Sequence, residues 1–150
     1  VAAESFALHV VNFYADVRPE LADEAILDKI GAASLRDFVR RFIVQDKAQQ
    51  RQIGTQRHVD TSVPMWLRSV AEGPQSRPRK VSVEVAANGV APGIPYRTWF
   101  KTRVDVVWEQ GRWKLADLSS SVVGPDSGKV MSAQERREYL TGEGWREIKP

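Results

Sequence analysis

The 150 residues carry 22 Lys and Arg against 19 Asp and Glu, with 42% hydrophobic and 9% aromatic residues. That mixture is too apolar for a disordered chain and too varied for a fibrous one, and its net charge of +3 falls well short of a dense polycation. With no cysteine, disulfides, thiolate metal sites and cysteine nucleophiles are excluded together.

Over residues 2–17, Phe6, Val10, Phe13 and Val17 recur at helical spacing, Ala3, Ala7 and Tyr14 widen the stripe, and Ser5, His9, Asn12 and Asp16 oppose it. The pattern predicts an amphipathic helix that Arg18 and Pro19 end. A second helix is expected over 20–30, with Leu21, Ala25 and Ile26 on one side and Gly31 as its stop. Ser34 is placed to cap a third, whose apolar face is Leu35, Phe38, Val39, Phe42 and Ile43 and whose pattern weakens after Asp46.

Residues 63–70 fit either an extended segment or a helical turn, and Gly73, Pro74, Ser76 and Pro78 make a connection after them. Val81, Val83 and Val85 alternate with Ser82 and Glu84, the pattern of a half-buried strand. Residues 88–95, with two glycines and two prolines, read as a loop. On the next strand Thr98, Phe100, Thr102, Val104, Val106 and Trp108 share one face, which puts Trp108 in the core, while Trp99, Lys101, Arg103 and Asp105 share the other. A turn at Glu109, Gln110 and Gly111 leads into a strand over 112–122, where the change of apolar parity between Leu115 and Ala116 signals a bulge. Gly124 to Gly128 interrupt it, Ser132 and Glu135 form a capping box for a short polar helix, and Trp145 and Ile148 dock the tail.

The expected architecture is α+β, with N-terminal helices packed on a curved, mainly antiparallel sheet and a short C-terminal helical tail. No repeat or linker divides the chain, so 1–150 is read as a single domain, with a main body over 1–122 and an extension over 123–150.

The opening helix, Ser5-Phe6-Ala7 through Phe13-Tyr14, and the hairpin from Val104 to Leu118, with Trp108-Glu109-Gln110-Gly111-Arg112-Trp113 at its turn, resemble those of the nuclear-transport-factor-2-like superfamily. The resemblance covers most of 1–122 by element order and is motif-specific over about 104–118. It implies a cone, in which helices enter the concave side of a strongly bent sheet. Within that superfamily the chain is similar to extracytoplasmic domains of actinobacterial envelope proteins, including assembly factors of type IV secretion or conjugation systems. That similarity implies a noncatalytic scaffold working through protein partners or self-association, held near a membrane by an anchor upstream of Val1. Val1 in place of a methionine fits such an excised segment, and no run of roughly 18 apolar residues occurs within the chain. The superfamily also includes isomerases and dehydratases, so a small-molecule pocket is the alternative.

Site candidates divide the same way. Asp105 and Asp117 lie on facing strands and can approach as an acid–base pair, yet Asp105 shares its face with Lys101 and Arg103, which favours a salt-bridge ladder. His58 sits in Arg57-His58-Val59-Asp60 without a third group at a recognisable spacing, and His9 reads as a surface histidine. Two histidines and no cysteine form no metal-ligand series, and no glycine-rich phosphate loop appears, so neither metal nor cofactor is expected. The five tryptophans can line a pocket for an apolar ligand, and Trp99 beside Lys101 and Arg103 is the candidate interface. Residues 34–80 hold ten Lys or Arg against four Asp or Glu, and Arg36, Arg40, Lys47 and Arg51 repeat along the third helix as a candidate anion-binding face. Arg77, Arg79 and Lys80 add to that basic stretch. A solvated helix face is the competing explanation, and without interleaved aromatics nucleic acid is not the expected partner.

Overall fold

The computed structural model describes residues 1–72, 79–93, 98–125 and 133–148. Three helices form in the predicted regions: α1 (Ala2–Ala15), α2 (Asp23–Ile30) and α3 (Asp37–Gln52). Helix α1 buries Ala3, Ala7, Val10, Val11, Tyr14 and Ala15, with Ala3 and Ala7 letting the backbone approach the sheet while Phe6 and Phe13 pack at the flanks. Helix α2 starts later than expected because Asp23 is drawn under α3. Leu27 is therefore its fully buried residue, while Leu21 and Ala25 remain exposed. Gly31 follows in extended geometry with φ of −73° and not as a left-handed stop. It is glycine for space, since a Cβ there would lie 2.7 Å from the Leu27 carbonyl oxygen and 2.9 Å from Leu35.

The residue flanking α3 is Arg36, two positions after Ser34, and its carbonyl accepts from Val39 and Arg40 at 3.0 and 3.1 Å. The helix continues past Asp46 because Lys47 and Arg51 are anchored on its neighbours. Val39, Ile43 and Lys47 are its buried residues, whereas Phe38 and Phe42 are exposed. Phe42 instead stacks on Tyr14 with ring centroids 6.1 Å apart.

The strands are β1 (His58–Val59), β2 (Met65–Glu72), β3 (Lys80–Val90), β4 (Thr98–Glu109), β5 (Arg112–Pro125) and β6 (Arg146–Ile148), with α4 (Ala133–Gly142) before the last. All strand pairings are antiparallel in the order β5-β4-β3-β2-β6, and β1 pairs with the far end of β3. The ambiguous 63–70 segment is thus a strand from Met65, and β3 runs to Val90 through the start of the expected loop. Val81, Val83, Val85, Val104, Val106 and Leu115 form the buried face with the helix residues. On the other face Glu84 bridges Arg68 at 3.1 Å and Lys101 at 3.5 Å. Gln110 and Gly111, with φ of 52° and 78°, make the two-residue turn of the β4–β5 hairpin.

The sheet is neither closed nor strongly curled, which overturns the expected cone. β5 and β6 end the strand order without meeting. Sheets bend at bulges, and among the described residues the register shifts lie only on the β4–β5 pair, between Trp99 and Phe100 and between Asp105 and Val106. The β2–β3 and β3–β4 ladders run in unbroken register over seven and ten pairs. The fold is an α+β arrangement of N-terminal helices on an open, mostly antiparallel sheet.

The second shift leaves Ala116 without a β4 partner, where the parity change placed a bulge. Trp108, however, is 52% exposed, because the buried positions of this hairpin end at Val106 and Leu115. Its ring packs edge-on to Trp113 at 5.4 Å. The tail contributes a strand as well as a helix: β6 pairs Ile148 with Met65 and Arg146 with Leu67. Glu4 of α1 holds that edge, accepting from Ser69 and from Arg146 at 2.7 Å each. Trp145 is buried beneath the Arg68 guanidinium, 4.5 Å from its ring. The expected 73–78 connection, the Asp126–Gly128 part of the interruption, Arg77 and the capping residue Ser132 lie outside the described residues.

Candidate functional site

A helix leaves its last carbonyls without intrahelical donors. At the end of α1 these are met by Arg57, whose Nη2 donates to Tyr14 O at 3.2 Å and whose Nε donates to Ala15 O at 3.3 Å. The Val17 N–H donates back to Arg57 O at 2.9 Å. Arg57 Nη2 also reaches Asp46 Oδ2 of α3 at 3.1 Å, so one guanidinium joins α1, α3 and the segment entering β1. The Tyr14 hydroxyl faces the same carboxylate. Burial, reinforced by the Asp46 charge and partly opposed by Arg57, pushes the phenol up to about 12.

His58 follows directly. Its Nδ1 lies 2.9 Å from Gln56 O, and a carbonyl can only accept, so Nδ1 carries the proton in the neutral ring and Nε2 keeps its lone pair. Gln56 adopts a left-handed φ of 50° to present that carbonyl.

These side chains border a cavity of about 400 Å³ between the end of the helix layer and the sheet. Ala15, Val90, Phe100 and Val122 supply apolar wall, and Ser120 adds a hydroxyl that shares a 3.0 Å hydrogen bond with Thr102. The charged lining groups Asp46 and Arg57 neutralise each other. The site therefore combines an apolar body, a balanced ion pair and an imidazole whose Nδ1 is committed to the main chain.

Because a raised tyrosine pKa means the folded chain holds the phenolic proton more tightly, its stabilising contribution is complete below the ordinary value of 10.0 and is lost as pH rises through about 12. Ring-carbon NMR is expected to follow Tyr14 titrating near 12, and Asp46→Asn is expected to lower that midpoint while burial keeps it above 10.0. A wild-type midpoint at the ordinary value would contradict the buried Tyr14–Asp46 contact.

Of the residues singled out in the sequence, His58 lines the cavity. Asp105 and Asp117 are register partners on the opposite sheet face. Asp105 accepts from Arg103 at 3.1 and 3.0 Å and from Ser82 at 2.7 Å; burial pushes its carboxyl up, but these donors outweigh it and hold the group below the usual range. Asp117 meets Arg36 at 3.5 Å. The aspartates thus belong to a ladder of ion pairs. Trp99 is half-buried, while Lys101 and Arg103 are exposed and paired with Glu84 and Asp105.

Each of the four candidate cations at the start of and along the third helix meets an aspartate. Arg36 pairs with Asp117, Arg40 with Asp28, and both Lys47 and Arg51 with Asp23. Lys47 is fully buried. His9 is exposed. Among the described residues no group of three or more metal-ligating side chains occurs. Sequence reasoning missed Tyr14, Asp46 and Arg57 as site residues; the available signal was Arg57 beside His58, just after the long third helix.

No protein-family model, curated protein or solved structure matches the chain.

Proposed function

We propose that this chain is a small-molecule-binding domain whose ligand is neutral and largely apolar. The observation that carries this reading is the cavity of about 400 Å³, where an apolar wall meets Tyr14, Asp46, Arg57 and His58. The 3.1 Å Arg57–Asp46 pair supports a neutral ligand, since neither charge is left to attract an opposite one. Titration with the neutral naphthalene dye prodan tests it: saturable, blue-shifted fluorescence is expected with a Kd on the order of 0.1 mM, from roughly 0.3 kcal/mol per non-hydrogen atom. Val122 lines the cavity yet is 72% exposed, so Val122→Trp is expected to obstruct the mouth and weaken binding without unfolding the chain. Absence of saturable binding, or binding indifferent to Val122→Trp, would overturn the proposal.

Phe38 and Phe42 favour a second reading, a protein-contact domain, because they are 67% and 39% exposed one helical turn apart. Self-association that Phe38→Ser removes would favour it.

A further inference from the structure

We infer that the cavity selects a ligand bearing a hydroxyl group and that His58 Nε2 accepts the hydrogen bond from it. This rests on the small-molecule reading above and specifies the chemistry of its ligand. The main chain determines which imidazole nitrogen is available: Nδ1 is committed to Gln56 O at 2.9 Å, so the neutral ring offers a ligand only the acceptor Nε2. Several neighbouring polar groups have protein partners. Arg57 uses Nε and Nη2 on Ala15 O, Tyr14 O and Asp46, and Thr55 Oγ1 donates to Gln50 O at 3.3 Å. The Asp46 carboxylate receives Arg57 and faces the Tyr14 hydroxyl.

Charge balance distinguishes a hydroxyl from the charged alternatives. Asp46 and Arg57 are paired with each other, and Asp16, which lies near His58, is held by Arg18 at 2.8 Å. A carboxylate ligand would bring a negative charge toward Asp46 and Asp16 and present His58 Nε2 with no proton to accept. An ammonium ligand would meet Arg57. A neutral hydroxyl supplies one donor to Nε2 and leaves the apolar body against Phe100, Val90 and Val122.

Fluorescence titration near neutral pH with 2-naphthol, 2-methoxynaphthalene and 2-naphthoate tests the assignment, because the three share one aromatic body and differ in the polar group. The expected result is about three- to ten-fold tighter binding of 2-naphthol than of 2-methoxynaphthalene, the worth of one neutral hydrogen bond, with 2-naphthoate weakest. His58→Phe, which keeps an aromatic ring and removes the acceptor, is expected to bring the naphthol-to-methoxynaphthalene ratio to about one. Equal wild-type affinities for those two compounds, tightest binding of 2-naphthoate, or a ratio that survives in His58→Phe would overturn the hydroxyl assignment while leaving the binding cavity in place. No binding by any of the three would overturn both readings. The wild-type ratio tests the inference even if the variant does not fold.

Discussion

Replacing Asp23 with alanine is expected to destabilise the domain by about 3–5 kcal/mol, read as a fall in the urea midpoint, because it strips the carboxylate from a buried cation. Lys47 has 0% side-chain exposure and lies 3.6 Å from Asp23, with its ammonium donating to Phe13 O and placed 3.8 Å from the Phe13 ring centroid. Arg51 reaches the same carboxylate at 2.6 Å and donates to Val17 O and Pro19 O at 3.1 and 2.8 Å. Thus α3 binds the start of α2 through Asp23 and the end of α1 through the Phe13 carbonyl. Lys47→Met is expected to change stability by no more than about 1 kcal/mol, since an apolar isostere removes the buried charge along with its partner's attraction.

Burial lowers the Lys47 amine from its ordinary 10.5, with Asp23 offsetting only part of the shift. The unfolded chain consequently binds more protons between the two values, and stability rises with pH across that window. Lys47→Met is expected to flatten this rise. A large loss in Lys47→Met together with a negligible loss in Asp23→Ala would invert the account.

The hairpin supplies a second large effect. Leu115→Ala is expected to lower stability by about 3 kcal/mol, because Leu115 is fully buried among the helices and its carbonyl accepts from Ala32 at 2.8 Å. Trp108→Ala, despite removing a far larger side chain, is expected to lose about 1 kcal/mol, chiefly its edge contact with Trp113. Urea denaturation of both variants checks the order. A greater loss at Trp108 would place the core beyond Val106, contrary to the observed burial.

This contrast shows how far periodicity reaches. The alternation of Val81, Val83 and Val85 and the parity change at Ala116 are local signals, and they located a strand and a bulge. Trp108 has the inward parity, but whether a helix covers that level depends on packing that no local pattern encodes. Curvature escaped for a related reason: the hairpin motif says nothing of the unbroken β2–β3 and β3–β4 ladders that keep the sheet from curling. Strand β6 has three residues, two of them charged, and forms because Met65 to Leu67 offer an edge far away in sequence. The extent of α3 beyond Asp46 depends on anchors for Lys47 and Arg51 in other helices. The cavity was least legible, since Tyr14 read as one more stripe residue until Arg57 brought it beside Asp46.

The most direct test of the ligand-binding proposal is an amide NMR titration of the wild-type chain with prodan, repeated on Val122→Trp. Saturable shifts grouped on Ala15, Gln50, His58, Val90 and Val122, and lost in the variant, are the predicted result. Shifts confined to the Phe38 and Phe42 face of α3, or no saturable shifts, would contradict a binding cavity.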